Sequence, residues 1–378
     1  MIQLIATVRF ADVQSALQRS HTTPALERRA HHAIAPHNPA DAQRFVDPQP
    51  AVGLEQHADQ LCRQLRDPHA APIAVISGSE GLGKTTLARL VAARCDVDEQ
   101  FAGVLWSDAR QIECDSWAGR RRNRTPPLNP HDLLLELARA LNIDGPNDLA
   151  TLRGEVQAHC ALRRYLIVID NLETAADLVA LGPLIELLVG TSRLLIVTRD
   201  QPGAALPALW PYVEVRLEPL DAAMSAALLR QTAARPGAPA LAQASPAELA
   251  QLYAALGGRP LALWLIAGQV TDQSWPCLLH QLSQWRAPAD GELYDQLYRY
   301  VWSRLSDSAQ TVLFAMHRCE AGAERELLFE LSGLDQPTFQ GALDELQERR
   351  LVSFDRRYTI HRLTYTFLRV VIAGWWAR

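Results

Sequence analysis

The sequence predicts an α/β protein in which a parallel sheet with helices on both faces is followed by a helical region and then by a winged helix. Three observations carry this. Between Ile73 and Leu217 five short aliphatic runs alternate with helical stretches, and parallel strands need crossover connections, which are usually helices. Beyond Leu220 the strand pattern stops and helical stretches continue. From about residue 290 the order becomes three helices, strand, tight turn, strand and helix, the order of a winged helix.

Taken in order, residues 1–45 read as a polar helical arm that closes in the proline-studded linker AHHAIAPHNPADAQRFVDPQP. Its histidines His21, His31, His32 and His37 lack Cys or carboxylate partners at ligand spacing, so the arm is read as solvated. Residues 46–220 are the expected sheet domain, with strands IAVIS (73–77), GVLWS (103–107), YLIVID (165–170), RLLIVT (193–198) and VEVRL (213–217). Residues 221–286 form a helical domain, in which DAAMSAALLRQTAA and SPAELAQLYAALGG are separated by RPGAPA, whose two prolines and glycine break the helix. Residues 287–378 form the winged helix, with LVSF, DRR and YTIH as its hairpin and Trp375 and Trp376 covering its core.

Composition narrows the function classes. A chain of 378 residues, 48% hydrophobic and 21% charged, can bury two or three cores. A net charge of −5 argues against a protein built on non-specific nucleic-acid affinity, which needs a basic surface to displace counterions. Six cysteines without a CxxC pair indicate free thiols rather than a zinc site or disulfide framework. No uninterrupted run of 18 apolar residues and no signal peptide is present, so the expected location is the cytoplasm, away from membranes. Of 37 Lys and Arg, a single one, Lys84, is lysine.

That lysine lies in Gly78-Ser79-Glu80-Gly81-Leu82-Gly83-Lys84-Thr85-Thr86, a match to GxxxxGK[ST] placed after a predicted strand and before a predicted helix. Glycines there let backbone N–H groups converge on a phosphate, the helix N-terminus adds its positive dipole end, Lys84 reaches the β- and γ-phosphates and Thr85 ligates Mg²⁺. About 85 residues on, Leu166-Ile-Val-Ile-Asp170 supplies the hydrophobic strand ending in an acid that would complete the Mg²⁺ shell. Asn171 follows where many hydrolysing P-loop ATPases place a Glu, and an amide cannot accept a proton, which points to slow hydrolysis unless Glu173 substitutes through a water. Arg199, at the end of RLLIVT, is expected to face the γ-phosphate and report whether ATP or ADP is bound. The expected cofactors are therefore ATP or ADP with Mg²⁺.

In this order the motifs resemble those of the NB-ARC branch of STAND ATPases, over roughly residues 46–370. Val52-Gly53-Leu54-Glu55 is similar to the family's VGRE element, GLGKTTLA to its phosphate loop, LIVIDN to its acid-bearing strand and SRLLIVTRD to its sensor strand. Gly257-Gly258-Arg259-Pro260-Leu261-Ala262-Leu263 is similar to GLPLAL, and Tyr358-Thr-Ile-His361-Arg362-Leu363 to the MHD element. The resemblance implies that Val52 and Pro260 line the nucleotide, that Pro260 packs on the adenine side and that His361 reaches the ADP β-phosphate. It further implies an intracellular switch that ADP holds closed and ATP opens, a protein partner supplying sensor or effector, and nucleotide-dependent self-association. Two residues depart from the pattern: Leu54 replaces Arg and Arg362 replaces Asp.

Two other readings compete. The winged helix could read DNA, but its candidate recognition helix PTFQGALDELQERR carries Asp344, Glu345 and Glu348, which repel phosphates, and the basic run Arg120-Arg121-Arg122-Asn123-Arg124 reads as a solvated loop. A work-performing ATPase would need rapid turnover and a neighbour's arginine finger.

Overall fold

A computed structural model describes residues 51–109, 130–143, 148–172, 175–199, 206, 210–233, 239–270, 275–285, 290–319, 322–355 and 357–372. The arm 1–45, the run Arg120–Arg124, Glu173 and the pair Trp375 and Trp376 lie outside the described residues.

The sheet region contains α1 (Glu55–Arg66), β1 (Ile73–Ser77), α2 (Lys84–Asp96), β2 (Val104–Asp108), α3 (Pro130–Ala140), α4 (Leu149–Leu162), β3 (Leu166–Leu172), α5 (Ala175–Leu188), β4 (Arg193–Thr198) and β5 (Tyr212–Arg216). Five strands form one sheet in the order β2-β3-β4-β1-β5, every pair parallel. Period-two alternation divides the strand residues between two cores. Ile73, Val75, Ile167, Ile169, Leu194 and Ile196 pack with α3, α4 and α5. On the other face Ala74, Ile76, Val168, Leu195 and Val197 pack with α1 and α2. Burial on both faces is why β1, β3 and β4 read as unbroken aliphatic runs.

The helical part contains α6 (Ala222–Ala233), α7 (Pro239–Ala242), α8 (Pro246–Leu256), α9 (Pro260–Ala267) and α10 (Trp275–Ser283). Ser245 and Glu248 form a capping box at the start of α8, with Pro246 in its first turn. The expected loop RPGAPA overlaps α7: prolines are tolerated in a first turn, so Pro239 opens a short helix instead of only breaking one.

Then follow α11 (Asp290–Trp302), α12 (Asp307–Ala315), α13 (Arg325–Ser332), α14 (Gln336–Glu348), the antiparallel pair β6 (Val352–Asp355) and β7 (Arg357–Ile360), and α15 (Arg362–Phe367). One buried cluster runs from Leu220 to Ile372 and so spans both the helical part and the hairpin part. A polar tie crosses it, because Arg349 Nη1 donates to Gln269 Oε1 at 3.0 Å while Gln269 Nε2 donates to the Arg349 carbonyl at 3.3 Å. Among the described residues no helix is long and apolar enough to cross a membrane.

Candidate nucleotide-binding site

The strand order places the carboxyl ends of β1, β4 and β3 side by side, and ligands of open parallel sheets bind outside such ends. β1 leads into the turn Gly78–Gly83, whose glycines at 78, 81 and 83 have φ of 140°, 73° and 90°. Gly83 is the left-handed residue that starts α2, and as a glycine it brings no side chain of its own to cap that end. The first backbone N–H groups of a helix lack intrahelical partners and attract anions.

Lys84 folds back over this turn, its Nζ donating to the carbonyls of Gly78 at 2.7 Å and Ser79 at 2.8 Å. Burial pushes its pKa down to about 8; Glu80 and Asp170 oppose the shift, while Arg199 and Arg362 add to it. Leu82 and Thr86 are buried, anchoring the turn to the sheet.

The buried carboxylate of Asp170 accepts a hydrogen bond from the Thr85 hydroxyl at 3.2 Å. The backbone N–H of Asn171 donates to the same oxygen at 2.9 Å. A hydroxyl beside a single carboxylate suits Mg²⁺, which binds through one or two carboxylates plus phosphate oxygens. Thr85 and Asp170 could therefore hold that ion. Asn171 has φ of 63°, a conformation Asn tolerates better than most residues. β3 continues to Leu172, two residues past the expected end, with a register shift between Ile169 and Leu172.

Arg199 is ion-paired with Glu80 of the turn. Sequence reasoning aimed this guanidinium at a phosphate and counted Glu80 only as part of the phosphate-binding turn, so it missed the pair.

Later segments also reach the turn. Leu261 N–H donates to the Gly81 carbonyl at 3.1 Å. Arg259 Nη1 lies 3.4 Å from Ser79 Oγ, and the Tyr294 hydroxyl lies 3.5 Å from the Glu80 carbonyl, both at donor–acceptor separation. A β-carbon on residue 81 would overlap that hydroxyl, so glycine is required there by close approach. Arg362 Nη1 lies 3.5 Å from Asn171 Oδ1, a long contact joining two of the three departures from expected motif chemistry. Sequence reasoning did not identify Arg259 or Tyr294. Adjacency to Pro260 could have flagged Arg259; no local pattern marks Tyr294.

Pro260 lies in the first turn of α9, half-buried and next to Leu261. Val52 is half-buried against the helical core. Leu54 is buried in the sheet core, its Cδ1 3.6 Å from where a β-carbon on Gly83 would sit. It therefore offers an apolar contact under the turn where the resembled family has Arg. His361 is exposed, and its Nδ1 accepts from the Leu363 N–H at 3.1 Å, capping α15.

No family model matches the chain. The chain is 26% identical over 227 residues, 59% of its length, to the probable disease resistance protein RF45 of Arabidopsis thaliana. It is 30% identical over 129 residues, 33% of its length, to the probable disease resistance RPP8-like protein 2 of the same plant. It spans 21% and 13% of those proteins respectively. In structure it is similar to a STAND protein with a tetratricopeptide repeat sensor from Pyrococcus horikoshii. That match has a TM-score of 0.51 and 19% identity, covering 86% of this chain and 44% of the other. Over part of its length the chain is therefore similar in sequence to these disease resistance proteins, and it shares its fold with the STAND protein.

Proposed function

We propose that the chain is an adenine-nucleotide switch of intracellular signalling or regulation, closed with ADP, opened by exchange for ATP and slow to hydrolyse it. One observation carries this reading: the phosphate turn is touched by Arg259, Leu261 and Tyr294, residues of the parts that follow the sheet. A nucleotide entering the turn meets both the sheet and those later parts. Such shared contacts are what give a ligand different affinities for closed and open forms, without which it shifts no equilibrium.

In this reading the turn Gly78–Thr86 and Lys84 bind the phosphates, and Arg199 senses the terminal one. Val52 and Pro260 line the nucleotide, and His361 contacts the ADP β-phosphate. Thr85 and Asp170 would hold Mg²⁺, which when bound neutralises phosphate charge. Asn171 supplies no proton acceptor, and Arg362 lies against its side chain, which favours slow turnover. Residues 287–378 act as the winged helix, and a partner chain supplies sensor or effector.

The test is the identity of nucleotide carried through purification, followed by hydrodynamic radius, oligomeric state and turnover with ADP and with a non-hydrolysable ATP analogue. The expected result is retained ADP, a larger or more open particle with the analogue, and slow turnover. Rapid hydrolysis, or identical particles with both nucleotides, sinks the switch.

A further inference from the structure

Glu80 occupies a position that the resemblance and the GxxxxGK[ST] spacing leave open, yet it is the one carboxylate within the turn. Its side chain is largely withdrawn from solvent, at 19% exposure, and is ion-paired with the guanidinium of Arg199, which is 29% exposed. Among the charged neighbours of Lys84, Glu80 does most to keep the ammonium protonated, ahead of Asp170. The Tyr294 hydroxyl lies at the Glu80 carbonyl, which fixes the backbone from which this carboxylate projects. One anion thus serves both cations that the nucleotide reading assigns to the terminal phosphates.

We infer that Glu80 is a specificity-determining residue that stands in for the γ-phosphate at Arg199 and thereby favours nucleoside diphosphate over triphosphate. This rests on the nucleotide reading above. ADP leaves the Glu80–Arg199 pair intact. A nucleoside triphosphate brings a second anion to the same guanidinium and must displace the carboxylate. Two anions held close in a partly desolvated site repel by an amount worth at least an order of magnitude in affinity.

Calorimetric titration of ADP and of a non-hydrolysable ATP analogue, each with Mg²⁺, tests this on the full chain and on Glu80→Gln, Arg199→Gln and the double variant. In Glu80→Gln the analogue is expected to bind about tenfold more tightly, with ADP changed less than about threefold. In the Arg199→Gln background the Glu80→Gln substitution is expected to have a much smaller effect on the analogue, because the contested cation is gone. Equal changes for the two nucleotides, no change, or an undiminished effect without Arg199 overturns the inference and leaves nucleotide binding standing. Loss of both nucleotides in Glu80→Gln also overturns it, showing that Glu80 shapes the turn instead of competing. A wild-type chain that binds neither nucleotide overturns the nucleotide reading and this inference with it.

Discussion

Arg362 Nη1 lies 3.5 Å from Asn171 Oδ1, across a separation of 191 residues. Each residue departs from expected motif chemistry, and the departures meet: an amide stands where a general base would, and a cation lies against it. The contact also joins the start of α15 to the end of β3, so it ties the C-terminal part to the strand that carries Asp170.

If this contact holds the two parts together, removing either side chain should cost the same stability. Asn171→Gly retains the positive φ, and Arg362→Gln removes the guanidinium. Each is expected to lower stability by about 1 kcal/mol, the scale of one partly exposed hydrogen bond, with the pair clearly sub-additive in chemical denaturation. Fully additive losses would mean that the two groups do not act on each other.

The buried tie between Gln269 and Arg349 makes a second prediction, about which parts of the chain unfold together. Arg349 also bonds Glu345 at 3.1 Å, and its side chain is 8% exposed. Arg349→Ala leaves Gln269 Oε1 without this donor inside a shared core, at a cost on the order of 2 kcal/mol. Hydrogen exchange should then quicken in both α9 and α14. Quickening confined to α14 would separate the helical and hairpin parts into independently stable units.

The backbone was legible where local pattern determines it. All five strands lie within a residue or two of the aliphatic runs, and β1, β3 and β4, buried on both faces, have to be apolar almost throughout. Thr85 and Asp170 were legible because strand order brings the two ends together without any help from side-chain detail. What escaped was pairing between distant side chains. Glu80 was counted only as a member of the phosphate turn, Arg362 was noted as replacing Asp, and no local pattern marked Tyr294. Only the tertiary structure brings them to Arg199, Asn171 and the Glu80 carbonyl. The boundary at residue 286 was drawn from the order of elements that begins near residue 290, and element order is silent on the one buried cluster that runs from Leu220 to Ile372.

Lys84 provides the third prediction, which its singular occurrence makes easy to read. Its folded pKa of about 8 lies below the ordinary 10.5, so between those values the unfolded chain binds more protons than the folded one. Stability of the nucleotide-free protein should therefore rise with pH across this window, by up to about 1.4 kcal/mol per pH unit from this group. Below about pH 8 the burial cost is fully present; above 10.5 it is gone. Selective ¹³C labelling of lysine gives one side-chain signal, whose shift should titrate with a midpoint near 8. Adding Mg²⁺ and ADP places phosphate charge against the ammonium, which should move the midpoint back towards the ordinary lysine value. A midpoint already at the ordinary value without nucleotide would mean that Lys84 is solvated. A depressed midpoint that ADP leaves unmoved would place the phosphates elsewhere.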